Sequence, residues 1–482
     1  MSLHHWIRAT FFCVLIAPFL GAMASAQEPP AWKMDALHLK NGARIEGLLI
    51  ETTPAGYRFR QVIRKSGSPT ITGTEDYSNS EVESVEALKD AERAELIRKL
   101  ADLDKQRQLF LASLKQLDQG GPPSAIEGLI LKPVFWPENA LSKESDPNGW
   151  AFDSKYFELR TNLREPLAVL MALQLEEIFG ACAHVIPARI SGKPTSILVW
   201  SDRAGFIQAT AKRNASLAHP AVFDPATNRI LAGTELAQFE AEGISIRNYH
   251  VGQLALLSQR ETEISKAMGG RIPAEFQDLF AKSRREIREA EARNDRTIRQ
   301  ARQHLLQVLN HEAIHAYLIN WVFPPTTQPL PRWLNEGLAQ AFETAFIEAG
   351  ELRADWPDPK RLAAVRNLLA VNHFPSLKRT LSTAPDHFLV LTAQAAAERE
   401  SSREAYLSSW ILTYYLLFEK RLLPGSKLDE YLTELAASRD PIGAFEKWTG
   451  EPLDRFELGL RQWIGKLRPD GTSASETPPA TR

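Results

Sequence analysis

Between residues 35 and 86 apolar and polar side chains alternate with period two, in the runs Ala36-Leu37-His38-Leu39, Ala43 to Ile50 and Tyr57 to Ile63. Asn41-Gly42 and Pro54-Ala55-Gly56 separate these runs. Alternation bounded by turn residues predicts a meander of about five short strands, a small β module over residues 27–88. Asn41-Gly42 predicts a two-residue hairpin with positive φ at both central positions. From residue 89 the spacing turns helical through Leu96, Leu100 and Leu103, then Leu109, Leu111 and Leu114, and stops at Gly120-Gly121-Pro122-Pro123. That predicts a helical linker over 89–123.

The next period change opens an α+β domain over 124–468: strand at Tyr156 to Thr161, helix at Leu167 to Phe179, strand at Ser196 to Trp200. A further strand, Asn228 to Ala232, follows the turn-like Asp224-Pro225-Ala226-Thr227. Residues 258–303 are dense in Arg and Glu with no Pro after Pro273, which suits one or two long solvated helices. Their charges are an exposed face, or, over 274–303, a protein-docking surface. Polarity falls from Gln300, and Leu305, Leu306 and Leu309 carry the helix toward residue 311. Tyr406 to Leu423, with Tyr406, Trp410, Tyr414 and Tyr415 among aliphatics, predicts a buried helix whose aromatics are core. The polar tail 469–482 should be disordered.

Composition narrows the classes. A chain of 482 residues carries two to four domains at roughly 100 to 200 residues each. The formal net charge of −2 gives no field that would favour nucleic acid. Arg8, the apolar run Ala9 to Met23 and the small residues Ala24-Ser25-Ala26 form a secretory leader over 1–26, with an uncleaved anchor as the alternative. No later stretch reads as a membrane span. Cys13 leaves with the leader and Cys182 stays as a small buried hydrophobe, so the expected mature protein is secreted or periplasmic and has no internal disulfide.

The chemistry sits at His311-Glu312-Ala313-Ile314-His315. On a helix the i, i+4 spacing puts both imidazoles on one face, where two nitrogens can share a metal. Glu312 can reach a metal-bound water and not the metal, which is the place of a general base. Twenty residues on, Trp333-Leu334-Asn335-Glu336-Gly337-Leu338-Ala339 offers a third ligand. Pro324-Pro325 and Pro329 to Pro331 break the chain, so a helix starting near Arg332 can return Glu336 to the first. Leu334, Leu338, Phe342 and Phe346 make its apolar stripe. Three ligands leave a fourth position for water, whose pKa zinc lowers to about 7.

These residues resemble the gluzincin metallopeptidases, and more closely the peptidase-like domains of exported bacterial proteins that carry H-E-x-x-H followed by W-x-N-E-G-x-A. The likeness covers His311 to about Glu343 closely and the flanks by pattern. It implies a zincin-like α+β domain with a mostly helical C-terminal part. The β module before it is similar to the small SH3-like or Sm-like barrels of such proteins, or is a covering sheet with no function of its own. By the resemblance His311, His315 and Glu336 are zinc ligands, Glu312 is the base, and Tyr406, at the start of its helix, is a catalytic candidate. The substrate implied is a peptide or protein cut internally, because the G-x-M-E-N element of the aminopeptidases is missing, and Asn228 to Ala232 is the expected exposed sheet edge to which an extended peptide would add. Gln340 stands where thermolysin-like enzymes have Asp, leaving Glu343 as a candidate second carboxylate. A binding or scaffold protein that keeps the fold without turnover is the alternative.

Overall fold

A computed structural model describes residues 32–64, 70–119, 131–136, 148–210, 220–324, 330–348, 351–354, 356–383, 396–423 and 427–468. The leader, the break at Gly120-Gly121-Pro122-Pro123 and the tail fall outside the described residues.

Five strands, β1 (Asp35–Leu39), β2 (Arg44–Thr53), β3 (Gly56–Ile63), β4 (Ile71–Ser78) and β5 (Val82–Glu86), form an antiparallel sheet in the order β4-β3-β2-β1-β5. Their inward positions Leu37, Leu49, Phe59 and Val82 make its core. The first hairpin differs from the two-residue turn expected. Gly42 N–H donates to Leu39 O (2.9 Å), Leu39 N–H donates to Ala43 O (2.8 Å), and only Gly42 has positive φ (+85°). This is a three-residue loop closed by a left-handed glycine, which leaves Asn41 in ordinary backbone space. The helix α1 (Asp90–Gln119) then packs Leu96 and Leu100 on Val62.

A second, mixed sheet is built from β6 (Lys132–Val134), β7 (Gly149–Asp153), β8 (Phe157–Thr161), β9 (Thr195–Trp200), β10 (Ala221–Asp224) and β11 (Arg229–Gly233). Its order is β10-β11-β9-β8-β7-β6, with β8, β9 and β11 parallel. Parallel neighbours need a crossover, supplied by α2 (Glu165–Val185) between β8 and β9, with α3 (Arg203–Thr210) after β9. Although no span was expected here, α2 is long and apolar enough to cross a membrane by length and composition, and 72% of that stretch is buried inside the fold. Its apolar circumference is spent on the core, where Cys182 is buried and free.

The charged segment is two helices, α4 (Leu236–Ala267) and α5 (Ala274–Tyr317), and begins earlier than expected. They pack on each other through His250–Glu291 and Glu261–Arg284, and the less exposed positions His250, Leu254, Leu257, Glu261 and Ile264 on α4 and Phe280, Arg284, Ile287, Glu291 and Asn294 on α5 recur every three and four residues. Beyond Gly243 no residue of α4 is fully buried, so the pair projects as an arm. α5 continues without interruption into the core, where Leu305, Leu309, Ala313 and Ile314 are buried, and ends in a π turn at Leu318–Val322.

Helices make up most of the rest: α6 (Arg332–Glu343), a two-strand ribbon of β12 (Phe346–Glu348) and β13 (Glu351–Arg353), α7 (Pro359–Ala370), α8 (Leu377–Leu381), α9 (Ala396–Tyr414), α10 (Lys427–Ser438), α11 (Pro441–Thr449) and α12 (Leu453–Lys466). The chain is therefore α+β, with an N-terminal antiparallel sheet and a mostly helical C-terminal part. Phe346 lies in β12, past the end of α6, so the stripe on α6 is Leu334, Leu338 and Phe342. Tyr406 lies within α9 and does not open it; Trp410, Tyr414 and Tyr415 are buried.

Candidate metal centre

α5 enters the core at the motif, with His311 and Glu312 half-buried and His315 buried. The His311 and His315 Nε2 atoms are 3.2 Å apart. α6 crosses α5 and turns Glu336 toward them, with Oε2 at 3.6 Å from His311 Nε2 and Oε1 at 3.7 Å from His315 Nε2. One donor atom from each of the three lies within 4.8 Å of the others, a set able to hold a metal ion. Glu336 Oε2 is buried without a hydrogen-bond partner. Close approach of α6 to α9 fixes this placement. A Cβ at Gly337 would collide with Thr413 Oγ1 and stand 2.6 Å from Ser409 O, so Asn335-Glu336-Gly337 needs its glycine for packing.

Each imidazole has an outer partner. Glu343 Oε2 is 3.1 Å from His311 Nδ1 and 2.7 Å from Arg361 Nη2, while Asn335 Oδ1 is 3.1 Å from His315 Nδ1. An acceptor on Nδ1 holds a proton there and leaves Nε2 as the nitrogen that can face an ion. Glu343 is thus a half-buried carboxylate paired with His311 and Arg361, in place of a solvated helix charge. Gln340 is buried and donates to Tyr406 O (3.1 Å), which ties α6 to α9.

The pKa values are those of a mutually compensated cluster. Burial opposes charge on His311, but Glu336 and Glu343 outweigh it and raise its pKa to about 10. Burial likewise opposes charge on Glu336, and His315, His311 and Arg332 outweigh it and hold it down at about 2. His315, where burial dominates, is lowered. Glu343 is depressed despite its burial, chiefly by Arg361. The Tyr406 phenol is raised by burial and then by the nearby Glu336 carboxylate, so it stays protonated within reach of the cluster's field.

Glu312 points to the sheet, where its Oε2 accepts from Phe223 N–H at 2.7 Å. Phe223 is in β10, the edge strand. Gly233 N–H donates to Pro220 O (2.9 Å), and Ala221 and Phe223 stand opposite Ala232 and Ile230. Alternation of hydrogen-bonded pairs then aims the backbone groups of Ala221 and Phe223 away from β11. The expected edge, Asn228 to Ala232, is wrong: β11 lies between β10 and β9, and β10 holds the free side.

Sequence reasoning assigned no role to Arg332, Asn335, Arg361 or the Phe223 amide. Arg332 Nη2 is 2.6 Å from Glu336 Oε1, an i, i+4 pair whose spacing was visible in the sequence. Of the other histidines, His219 and His387 lie outside the described residues, as does the side chain of His184. His250 lies in the arm, 3.5 Å from Glu291.

Residues 306–442 match a family described as "Protein of unknown function (DUF1570)". The match takes in the three candidate ligands, Glu343, Arg361 and Tyr406, and leaves out the two larger sheets and most of the arm. No curated protein and no solved structure matches the chain.

Proposed function

We propose that this chain is an exported zinc-dependent endopeptidase of gluzincin type, with His311, His315 and Glu336 as zinc ligands and Glu312 as general base. The observation that carries the reading is the converging donor set with its buried, partnerless carboxylate oxygen. Zn–N bonds of about 2.0–2.1 Å at a tetrahedral ion separate two nitrogens by roughly 3.3–3.4 Å, against the 3.2 Å found here. Two imidazoles with one carboxylate favour zinc over magnesium or calcium. A mixed sheet with an antiparallel edge strand beside the motif helix supports the zincin reading. Beside it, the N-terminal sheet is in our reading a small SH3-like module.

Bound there, zinc would supply Lewis acidity and a water acidified to about pKa 7. Glu312 takes the proton of the attacking water and hands it to the leaving nitrogen. The half-buried, protonated Tyr406 phenol is the donor for the carbonyl oxygen as it gains charge. An extended peptide pairs with the outward N–H and C=O of Ala221 and the C=O of Phe223 on β10, the Phe223 N–H being held by Glu312, which binds main chain and leaves room on both sides of the scissile bond.

Elemental analysis paired with a peptide-library digest tests this. About one zinc per chain is expected. Glu312→Gln should keep the zinc and lose about 10²- to 10⁴-fold in turnover. Less than about a tenth of an equivalent after supplementation, unchanged in His311→Ala, would sink the metal assignment. Zinc without cleavage in the parent protein would favour the binding or scaffold alternative.

A further inference from the structure

We propose that Arg332 is a positioning residue that decides which oxygen of Glu336 faces the metal; this rests on the zinc reading above. Arg332 opens α6 one turn before Glu336, and its Nη2 lies 2.6 Å from Glu336 Oε1. Oε2 is buried and partnerless, 3.6 Å from His311 Nε2. The two oxygens are therefore not equivalent. Oε1 is shared between the guanidinium and the His315 side, and Oε2 is left dry beside His311. The last torsion of a glutamate is broad and roughly two-fold, so it does not distinguish the oxygens by itself. The His315 side cannot hold it either, since Oε1 and Oε2 stand at nearly equal distances from the two imidazoles, 3.7 and 3.6 Å. The local asymmetry comes from Arg332.

A cation beside a ligand also repels a metal ion, so the net sign has to be decided. The Arg332 side chain is 35% exposed whereas that of Glu336 is 2% exposed. Solvent can screen the repulsion at the guanidinium end, while the ion pair at Oε1 acts on a dry carboxylate, where orientation is costly to lose. Orientation wins, and Arg332 tightens zinc binding through single-oxygen ligation by Oε2. Partners of this kind are worth about 10- to 100-fold in metal affinity.

The experiment measures zinc affinity by competition with a chromophoric chelator for the parent protein, Arg332→Met, Arg332→Gln and Glu336→Ala. The visible absorption of the cobalt-substituted proteins is recorded beside it. Arg332→Met should bind zinc about 10- to 100-fold more weakly, and its cobalt bands should weaken as Glu336 chelates with both oxygens and coordination number rises. Arg332→Gln, which keeps an N–H donor without the charge, should remain within about threefold of the parent and retain its spectrum. A purely structural role for Arg332 would shift melting temperature and leave affinity and spectrum alone, which overturns the proposal. Tighter binding by Arg332→Met also overturns it, as does a Gln variant as weak as the Met one, which would mean bulk charge in place of orientation. Zinc lost in Glu336→Ala but held equally by parent and both Arg332 variants defeats this inference alone. A parent protein that takes up no zinc defeats the metal reading beneath it.

Discussion

Replacing Glu343 by Ala separates the metal centre's stability from its affinity. Glu343 joins Arg361 (2.7 Å) to His311 Nδ1 (3.1 Å), and the paired side chains are 23% and 20% exposed. Removing one partner of a buried ion pair costs about 3–5 kcal/mol, because the remaining charge is left uncompensated. One-fifth exposure lets water reach Arg361, so the lower end, about 3 kcal/mol, is expected for Glu343→Ala by urea unfolding of the metal-free protein. His311 also loses its Nδ1 acceptor, for about 10- to 100-fold weaker zinc binding by chelator competition. The double variant Glu343→Ala/Arg361→Leu takes away both charges. It should recover most of the stability but none of the affinity, since the imidazole is still unsupported. Arg361 also donates to Gln340 O at 3.0 Å, so recovery should stop short of complete. A loss below about 1 kcal/mol in the single variant, or stability and affinity returning together in the double, would refute the coupling of Glu343 to both neighbours.

Gly337→Ala should destabilise by about 1–3 kcal/mol, the usual range for overpacking, and weaken zinc binding as Glu336 moves with α6; unchanged melting and affinity would show that α6 and α9 are not in tight contact. With the metal-free His311 pKa at about 10, the imidazole holds its proton at neutral pH and zinc must displace it. Zinc affinity should then climb about tenfold per pH unit up to roughly pH 10, and a plateau above pH 7.5 would contradict the shift. By the same linkage, the stability that protonated His311 gives the metal-free fold is full below about pH 6.5 and is lost as pH rises through about 10. Excising residues 246–291 and joining the stumps with a short Gly/Ser turn should leave a folded protein with zinc affinity within about threefold, because Gly243, Asn294, Ile298 and the Glu240–Arg302 contact at the arm's base remain. Collapse of circular dichroism in that variant would mean the arm is integral to the core.

The candidate centre was legible in proportion to how local its geometry is. His311 and His315 need only an i, i+4 helix, and Glu336 needs one proline break and a second helix, both of which are readable from the chain. Glu343 could be named from the distance along α6 but not assigned, because what distinguishes an outer ligand from a solvated charge is Arg361, which arrives on α7 from a different part of the fold. Tyr406, beside Ser408 and Ser409, reads as a helix start because the aromatic and aliphatic run begins there, whereas α9 begins ten residues earlier in the polar stretch from Ala396. The edge strand failed for a related reason. Ala221 to Asp224 is four residues ending in the turn Asp224-Pro225, too short for period two to register, whereas Arg229–Gly233 reads as a strand without saying which neighbours flank it.

That error bears on chemistry as well as topology. An internal β11 has both sides occupied, and the backbone groups that meet Glu312 belong to β10. The base and the strand that would carry a peptide are thus already linked, through the Phe223 amide. On the proposed reading, an extended chain laid along β10 would arrive in register with Glu312, because Phe223 of that strand already holds its carboxylate. The arm, by contrast, shares only α5 with this arrangement. From the turn at Pro273 to His311 runs a helix of 38 residues, about 57 Å at 1.5 Å per residue. The solvated heptad end and the end that carries the candidate ligands can therefore be altered separately, and the two halves answer to different constraints: charge and exposure in one, donor geometry in the other.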